Sequence, residues 1–352
     1  MFSSNINDRL NYLSKFTFKK LLNVALIKSS FYLSKLTKRN IHWGMPYGFG
    51  IEPTTACNLR CPGCLSGIRD FDRPTGMLSQ DFFEKTINDL HKYLLYCTLH
   101  YLGEPYLNKS LFNFVKYASE RKIYTELSTN GHYLNDENAK QTILSGLDSI
   151  RISIDGTTQE VYEMYRKGGN LNTVIEGVKN LVRWKERLGS KTPFVIVQLI
   201  LFKYNTHQTG DIEKLAQEMG ADELQLKTAD SYISNEDSDS SFIPEDEKYS
   251  RYKKQQNGSY KLASYDKMPN HCFRMWHSFK TTWDGSVIPC CFDKNSQYIM
   301  GDFKKESFKK IWRGEKYDTF RSQLFNSRKS IGICNNCIEG MESEIRQKIP
   351  FK

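Results

Sequence analysis

GIEPTTACNLRCPGC, residues 50–64, begins as a short apolar run and ends in a loop carrying Cys57, Cys61 and Cys64, with three and then two residues between them. Thiolates this close in sequence can hold three irons of a 4Fe-4S cluster and leave the fourth iron without a protein ligand. The amino and carboxylate groups of an amino acid could chelate that open iron and set a neighbouring sulfonium beside an electron donor. Two plainer readings stand beside this one: a zinc site completed by a histidine such as His42, or thiols that merely pack in a core. Zinc favours paired C-x-x-C units, and packing gives cysteines no reason to recur at fixed offsets, so a cluster is the stronger expectation.

Outward from this loop, runs rich in β-branched and aromatic residues predict strands over 48–54, 97–102, 123–128, 149–154, 194–201 and 223–227. Amphipathic stretches predict helices over 80–96, 110–121, 137–145, 171–188 and 207–219, several with Ser, Thr or Asn near their starts. Strands separated by helices imply an α/β fold with a parallel sheet and right-handed crossovers, barrel-like or open. Chemistry in such a sheet belongs at the C-terminal strand ends, where Cys57 falls.

The same placement recurs downstream. YLGEP (101–105), STNG (128–131) and SIDG (153–156) end consecutive predicted strands, and YEMYRKGG (162–169) follows them. Singly, each is a common turn or helix-start signal. In this order, behind the three-cysteine loop, they closely resemble the radical S-adenosylmethionine (SAM) superfamily. The resemblance implies a partial (β/α)6 TIM-like barrel, a 4Fe-4S cluster on Cys57, Cys61 and Cys64, and SAM bound at that cluster. It places Gly103 and Glu104 at the SAM ammonium, Asn130, Ser153 and Asp155 around the ribose and carboxylate, and Arg166 on the carboxylate, to which its planar fork is suited. Two positions depart from the family pattern: Leu102 replaces the first glycine of its GGE motif, and Gly63 stands where many relatives carry an aromatic residue beside adenine.

A second cysteine group begins in HCFRMWHSFKTTWDGSVIPCC (271–291) and closes with Cys334 and Cys337. Trp283-Asp284-Gly285 reads as a hairpin turn between two short strands. A cysteine pair on a hairpin plus a distant C-x-x-C can supply a closed four-ligand site, and zinc is the competing occupant. The arrangement resembles the SPASM and shortened twitch domains that follow radical SAM barrels, which implies one auxiliary 4Fe-4S cluster on Cys272, Cys290, Cys334 and Cys337. Cys291 reads as a neighbour of that site and Cys97, inside a predicted strand, as a buried apolar residue.

The 352 residues, 39% hydrophobic, suffice for one main domain with appendages. Nine cysteines without a recognisable cleavable signal favour metal ligation over disulfides and a cytoplasmic protein. Between Arg9 and Ile51 stand eight basic residues and no acid; with Asp8, residues 1–51 hold +7 of the net +10. The remainder is nearly balanced, so no nucleic-acid partner is expected. Residues 15–39 mix lysines with apolar residues and predict a helix packed on the main domain; the other reading is a peripheral contact at the inner face of a membrane. The expected division is residues 1–45 as a basic helical segment, 46–233 as the barrel, 234–265 as a linker or surface loop, and 266–352 as the auxiliary-cluster domain.

The resemblance implies an oxidoreductase that cleaves SAM with an electron from a flavodoxin- or ferredoxin-type donor, abstracts a hydrogen atom from substrate and passes the substrate's second electron to the auxiliary cluster. Glu52, Tyr101 and Lys227, at strand ends, are candidates for substrate orientation or proton removal, with Glu126 and Gln198 as further polar positions. A sugar, polyol or lipid-linked substrate is the first reading; the alternative is a maturase of peptides or proteins. From another class comes a non-catalytic iron-sulfur or zinc-binding protein.

Overall fold

The structure, a computed structural model, describes residues 5–230, 242–341 and 346–351. Six strands, β1 (Gly48–Ile51), β2 (Tyr96–Thr98), β3 (Tyr124–Thr129), β4 (Ser149–Ser153), β5 (Phe194–Leu201) and β6 (Glu223–Thr228), lie parallel in chain order. They are preceded by α1 (Ile6–Ser14) and α2 (Phe18–Thr37). The crossovers are α3 (Leu65–Ile68) and α4 (Gln80–Leu90), then α5 (Leu111–Ser119), α6 (Asp136–Leu144), α7 (Gln159–Tyr165) with α8 (Leu171–Arg187), and α9 (Thr209–Glu218).

Local signals account for these elements. β5, FVIVQLIL, is a nearly continuous β-branched and aliphatic run and is buried along most of its length, as a central parallel strand covered on both faces is. α8 starts where Asn170 accepts the Thr173 amide at 2.9 Å, buries Leu171, Val174, Val178 and Leu181 along one stripe, and ends with Lys185 and Arg187 near its negative pole. β2 stops at Thr98, earlier than its apolar run suggests, because the chain then turns to carry Gly103 over the strand ends.

The C-terminal part completes the sheet rather than hanging beside it. After α10 (Arg274–His277), β9 (Ser278–Thr281) pairs parallel with β1, and Phe279 stacks on Phe49 with centroids 4.8 Å apart. The turn at Gly285 then returns β10 (Ser286–Ile288) antiparallel to β9, the hairpin expected from Trp283-Asp284-Gly285, and β11 (Gly301–Asp302) follows. After α11 (Phe308–Trp312) and α12 (Glu315–Ser327), the last strand, Arg346–Pro350, pairs antiparallel with β6. Both edges of the six-stranded sheet are thereby paired, which moves the outer edges to β11 and Arg346–Pro350. One hydrophobic core runs from Ile27 and Phe31 through the sheet to Trp276, Trp312 and Phe325.

The stretch expected to be a linker contains structure of its own. Residues 231–241 lie outside the described residues, but β7 (Tyr252–Lys254) and β8 (Tyr260–Leu262) form a hairpin around the Asn257-Gly258 turn. Ile243, Tyr252, Leu262 and Met268 build a small separate core beneath it. The strands of the hairpin, YKK and YKL, are only three residues long and lysine-rich, too short and polar for their alternation to be read from the sequence.

The basic N-terminal segment is helical and packs on the main domain, yet the packed face of α2 is largely polar. The Lys20 ammonium donates to the Lys122 carbonyl at 2.5 Å, and the Asn23 amide brackets the Met45 backbone at 2.7 and 2.9 Å. Buried Ser30 and Ser34 lie on the same side.

Candidate active site

A cavity of about 280 Å³ opens at the C-terminal ends of the parallel strands. Cys57, Cys61 and Cys64 line it from the loop after β1, Gly103 and Glu104 from the loop after β2, Asn130 from that after β3, Ser153 from the end of β4, and Arg166 from the end of α7. Residues spread over 110 positions of sequence thus meet at one opening because each follows a parallel strand.

Gly103 is required where it stands. Its φ is +73°, and a Cβ there would lie 2.2 Å from the Thr54 carbonyl oxygen. This close approach lets the next amide, Glu104, donate to the Ala56 carbonyl at 2.7 Å and tie the β2 loop to the cysteine loop. The Glu104 carboxylate accepts from the Thr129 hydroxyl at 2.7 Å and from the Asn130 amide at 2.8 Å. Burial pushes its pKa up to about 7 against the pull of those bonds.

Arg166 and Asp155 form the charged corner. Arg166 Nε donates to Asp155 Oδ2 at 2.6 Å, and Arg166 Nη1 reaches within 3.9 Å of Cys61 Sγ. Asp155 is fully buried, accepts the Ile200 amide at 2.7 Å with its other oxygen, and is not among the cavity-lining residues. It positions Arg166, whereas the sequence placed it at the cofactor itself. Asn130 lies 3.9 Å from Cys57 Sγ and 2.7 Å from Asn58 Oδ1. At Gly63, where the family pattern has an aromatic side chain, the Tyr165 hydroxyl comes to 3.1 Å from where a Cβ would stand, and Tyr165 lines the cavity.

The proposed proton-handling residues separate. Glu52 does not reach the cavity: its fully buried carboxylate is spent on a two-pronged pairing with Arg73, at 2.5 and 2.9 Å. Arg73 Nε also donates to the Lys294 carbonyl at 3.0 Å, so this pair clamps the C-terminal part onto the barrel. Tyr101 does line the cavity, but its hydroxyl donates to the Asp293 carbonyl at 2.6 Å, a bond between the two halves of the chain. Lys227 lines the cavity from the end of β6. Glu126 is instead paired with Arg151 at 2.9 Å, and neither it nor Gln198 lines the cavity.

Lys294 and Asp230, neither singled out from the sequence, also line the cavity; Asp230 follows the sixth predicted strand, whereas nothing in the sequence pointed to Lys294. Lys294 arrives from the loop after β10, and Asp230, just past β6, is held by Arg251 at 3.0 Å. Asp230 stands at a strand end like the others, whereas only the docking of the two halves brings Lys294 beside the cysteine loop.

The second cysteine group closes on a smaller cavity. Cys272, Cys290, Cys334 and Cys337 line it together with Phe292, Phe320 and Arg328, whereas Cys291 does not. Arg328 is fully buried, donates to the His271 and Cys337 carbonyls at 3.2 Å each, and leaves Nε without a hydrogen-bond partner. Burial pushes Cys334 and Cys337 up to about 12. Cys97 is fully buried in β2, as its place in an apolar run suggested.

A family model described as the radical SAM superfamily matches residues 51–215, and one described as SPASM, an iron-sulfur cluster-binding domain, matches residues 272–338. The chain carries a radical SAM domain followed by a SPASM domain. It is 25% identical over 297 residues to the tungsten-containing aldehyde ferredoxin oxidoreductase cofactor-modifying protein of Pyrococcus furiosus, covering 77% of this chain and 82% of the relative. It is 27% identical over 191 residues to the PqqA peptide cyclase of Bradyrhizobium diazoefficiens, covering 54% of this chain and 48%, about half, of that one. Among solved structures, SuiB of Streptococcus suis bound to S-adenosylmethionine superposes with a TM-score of 0.60 at 15% identity, over 87% of this chain and 75% of that chain, a likeness of fold.

The radical SAM and SPASM domains bring a 4Fe-4S cluster, SAM and an auxiliary cluster with them, and the side chains present fit those groups. Burial raises the pKa of Cys57 and pushes Cys61 up to about 11, so both stay protonated until a metal site claims their sulfurs. Cys57, Cys61 and Cys64 line one cavity, the three-thiol set that would hold three irons of a cluster and leave the fourth open. In the second cavity, a buried guanidinium with an unpartnered Nε beside four thiols fits an anionic cluster.

Proposed function

We propose that this radical SAM protein is an oxidative maturase acting on a peptide or protein side chain. Cys57, Cys61 and Cys64 would hold the SAM-binding cluster, and Cys272, Cys290, Cys334 and Cys337 the auxiliary one. Bound there, these groups would supply a 5′-deoxyadenosyl radical able to take a hydrogen atom from an unreactive C–H bond, and an acceptor for the second electron.

The observation that carries the oxidative reading is the position of Lys294. It lines the first cavity, yet stands four residues after Cys290, which lines the second. A substrate held in the first cavity therefore lies against the segment that leads to the auxiliary site. Glu104, Asn130, Ser153 and Arg166 would bind and orient SAM, with Asp155 fixing the guanidinium. Lys227, Lys294 and Asp230, with Tyr101, would hold the substrate and receive the proton released on oxidation.

One of the two relatives supports a peptide substrate. It is a peptide cyclase, and the other is described as modifying the cofactor of an oxidoreductase. The polyol reading rests on a single specific feature: the four cysteines of the second cavity provide for one auxiliary cluster rather than two. Incubating reduced, reconstituted protein with perdeuterated peptides and with perdeuterated polyols, and reading deuterium in 5′-deoxyadenosine by mass spectrometry, decides between them. Label from a peptide and none from any polyol is expected. Label from polyols alone would replace this reading with the second one, and no SAM cleavage under any condition would reject both.

A further inference from the structure

α2 is built inside out. At about 100° per residue, Lys20, Asn23, Ile27, Ser30, Phe31 and Ser34 form the side that faces the protein, four polar residues with two apolar ones, and all of them are buried. Phe18, Leu22, Ala25, Tyr32 and Leu36 lie within about 40° of the opposite line, and all are exposed, Phe18 at 82% and Leu36 at 80%. Leu21 and Leu26 widen this stripe. A helix that docked by the hydrophobic effect alone would turn the other way. Here hydrogen bonds to Lys122, Met45 and Ile41, together with Ile27 and Phe31 in the core, hold the mainly polar face down, and the larger apolar face stays outward. α1 adds a second exposed row, Ile6, Leu10 and Leu13.

We propose that this face lies on an anionic lipid surface. Charge selects the occupant. Lys19 flanks the apolar stripe on one edge and Lys28 and Lys35 on the other, and Lys38 with Arg39 follows at its end, all of them exposed. No acid occurs between Arg9 and Ile51. A second copy of the chain would set this +7 segment against itself across a two-fold axis, a repulsive pairing. Apolar residues bordered by exposed lysines suit a helix lying in the headgroup region of a negatively charged bilayer. No helix among the described residues is long and apolar enough to cross one, so the contact is peripheral.

The attachment also has a direction. α1 and α2 touch Lys122, Tyr124 and Asp148, at the starts of β3 and β4, whereas the cavity opens at the ends of those strands. A membrane beneath α2 would leave the cavity facing away from it. Membrane attachment therefore does not by itself deliver a lipid-linked substrate, and it holds or fails independently of the reaction proposed above.

The test is co-sedimentation of the full-length protein with vesicles of phosphatidylcholine alone or mixed with phosphatidylglycerol. Binding to the anionic vesicles, weakened by salt and reduced roughly tenfold or more in Phe18→Glu/Leu22→Glu/Leu36→Glu, is expected. These side chains are exposed, and an unchanged melting temperature will show that the variant folds; Lys28→Glu/Lys35→Glu provides an independent variant that leaves the apolar stripe intact. Absence of binding to anionic vesicles, or equal binding to neutral ones, would overturn the proposal. So would light scattering that shows a dimer dissolved by the triple substitution, which would make the face a contact between copies.

Discussion

Arg166 is held between Asp155, which its Nε meets at 2.6 Å, and Cys61, whose sulfur lies 3.9 Å from its Nη1. The buried carboxylate aims the guanidinium at the rim of the cysteine loop. Asp155→Asn should therefore weaken SAM binding by about tenfold, the scale of a lost charge-assisted contact. Isothermal titration of reconstituted protein measures this without turnover. Asp155→Ala, which strands a buried guanidinium, should also lower stability by about 3–5 kcal/mol. Unchanged affinity in both variants would show that Arg166 needs no partner.

Gly103→Ala should be costly despite adding one methyl group. The left-handed φ of +73° and the 2.2 Å approach to the Thr54 carbonyl leave no room for a Cβ without moving backbone. A loss of about 2–4 kcal/mol in denaturant unfolding is expected, together with weaker SAM binding as Glu104 shifts. Leu102→Gly, which restores the glycine of the family pattern, removes a buried side chain and should destabilise by about 2–5 kcal/mol.

Auxiliary iron should distinguish the adjacent cysteines. Cys290→Ala is expected to reduce anaerobically reconstituted iron from about eight to about four per chain, while Cys291→Ser keeps the full content. Elemental analysis with sulfide determination reads both. The reverse pattern would move the ligand to Cys291.

Lys20 should leave a mark on the pH dependence of stability. Burial, reinforced by Lys15 and Lys122, lowers its folded pKa to about 8 from 10.5. Between those values the unfolded chain binds more protons than the folded one, so stability rises with pH across this window and is flat with respect to Lys20 below it. Melting curves from pH 7 to 10 should show a shallower rise in Lys20→Gln than in the parent protein. Parallel curves would place the ammonium in solvent.

Tyr101→Phe should remove the 2.6 Å bond to the Asp293 carbonyl while leaving the ring in the cavity wall. The expected effect is a loss of about 1 kcal/mol and faster hydrogen exchange around residues 291–298, with SAM cleavage kept within a few-fold. Abolished cleavage would instead make the phenol a participant in the reaction.

Cysteine spacing, strand order and the motifs at strand ends were legible in the sequence because each depends on neighbours a few positions away. A parallel sheet converts such local signals into one site without further information, and Cys57, Gly103, Asn130, Ser153 and Arg166 meet as that logic requires. Three things needed tertiary structure. Glu52 stood at the right strand end but was consumed by Arg73, a partner 21 positions away in an irregular loop. Lys294 entered the cavity only because β9 paired with β1, a register set by packing of Phe279 on Phe49. The outward turn of α2 was hidden for a more general reason: periodicity reveals that a helix has two faces, but which of them meets the protein depends on the carbonyls and amides waiting there.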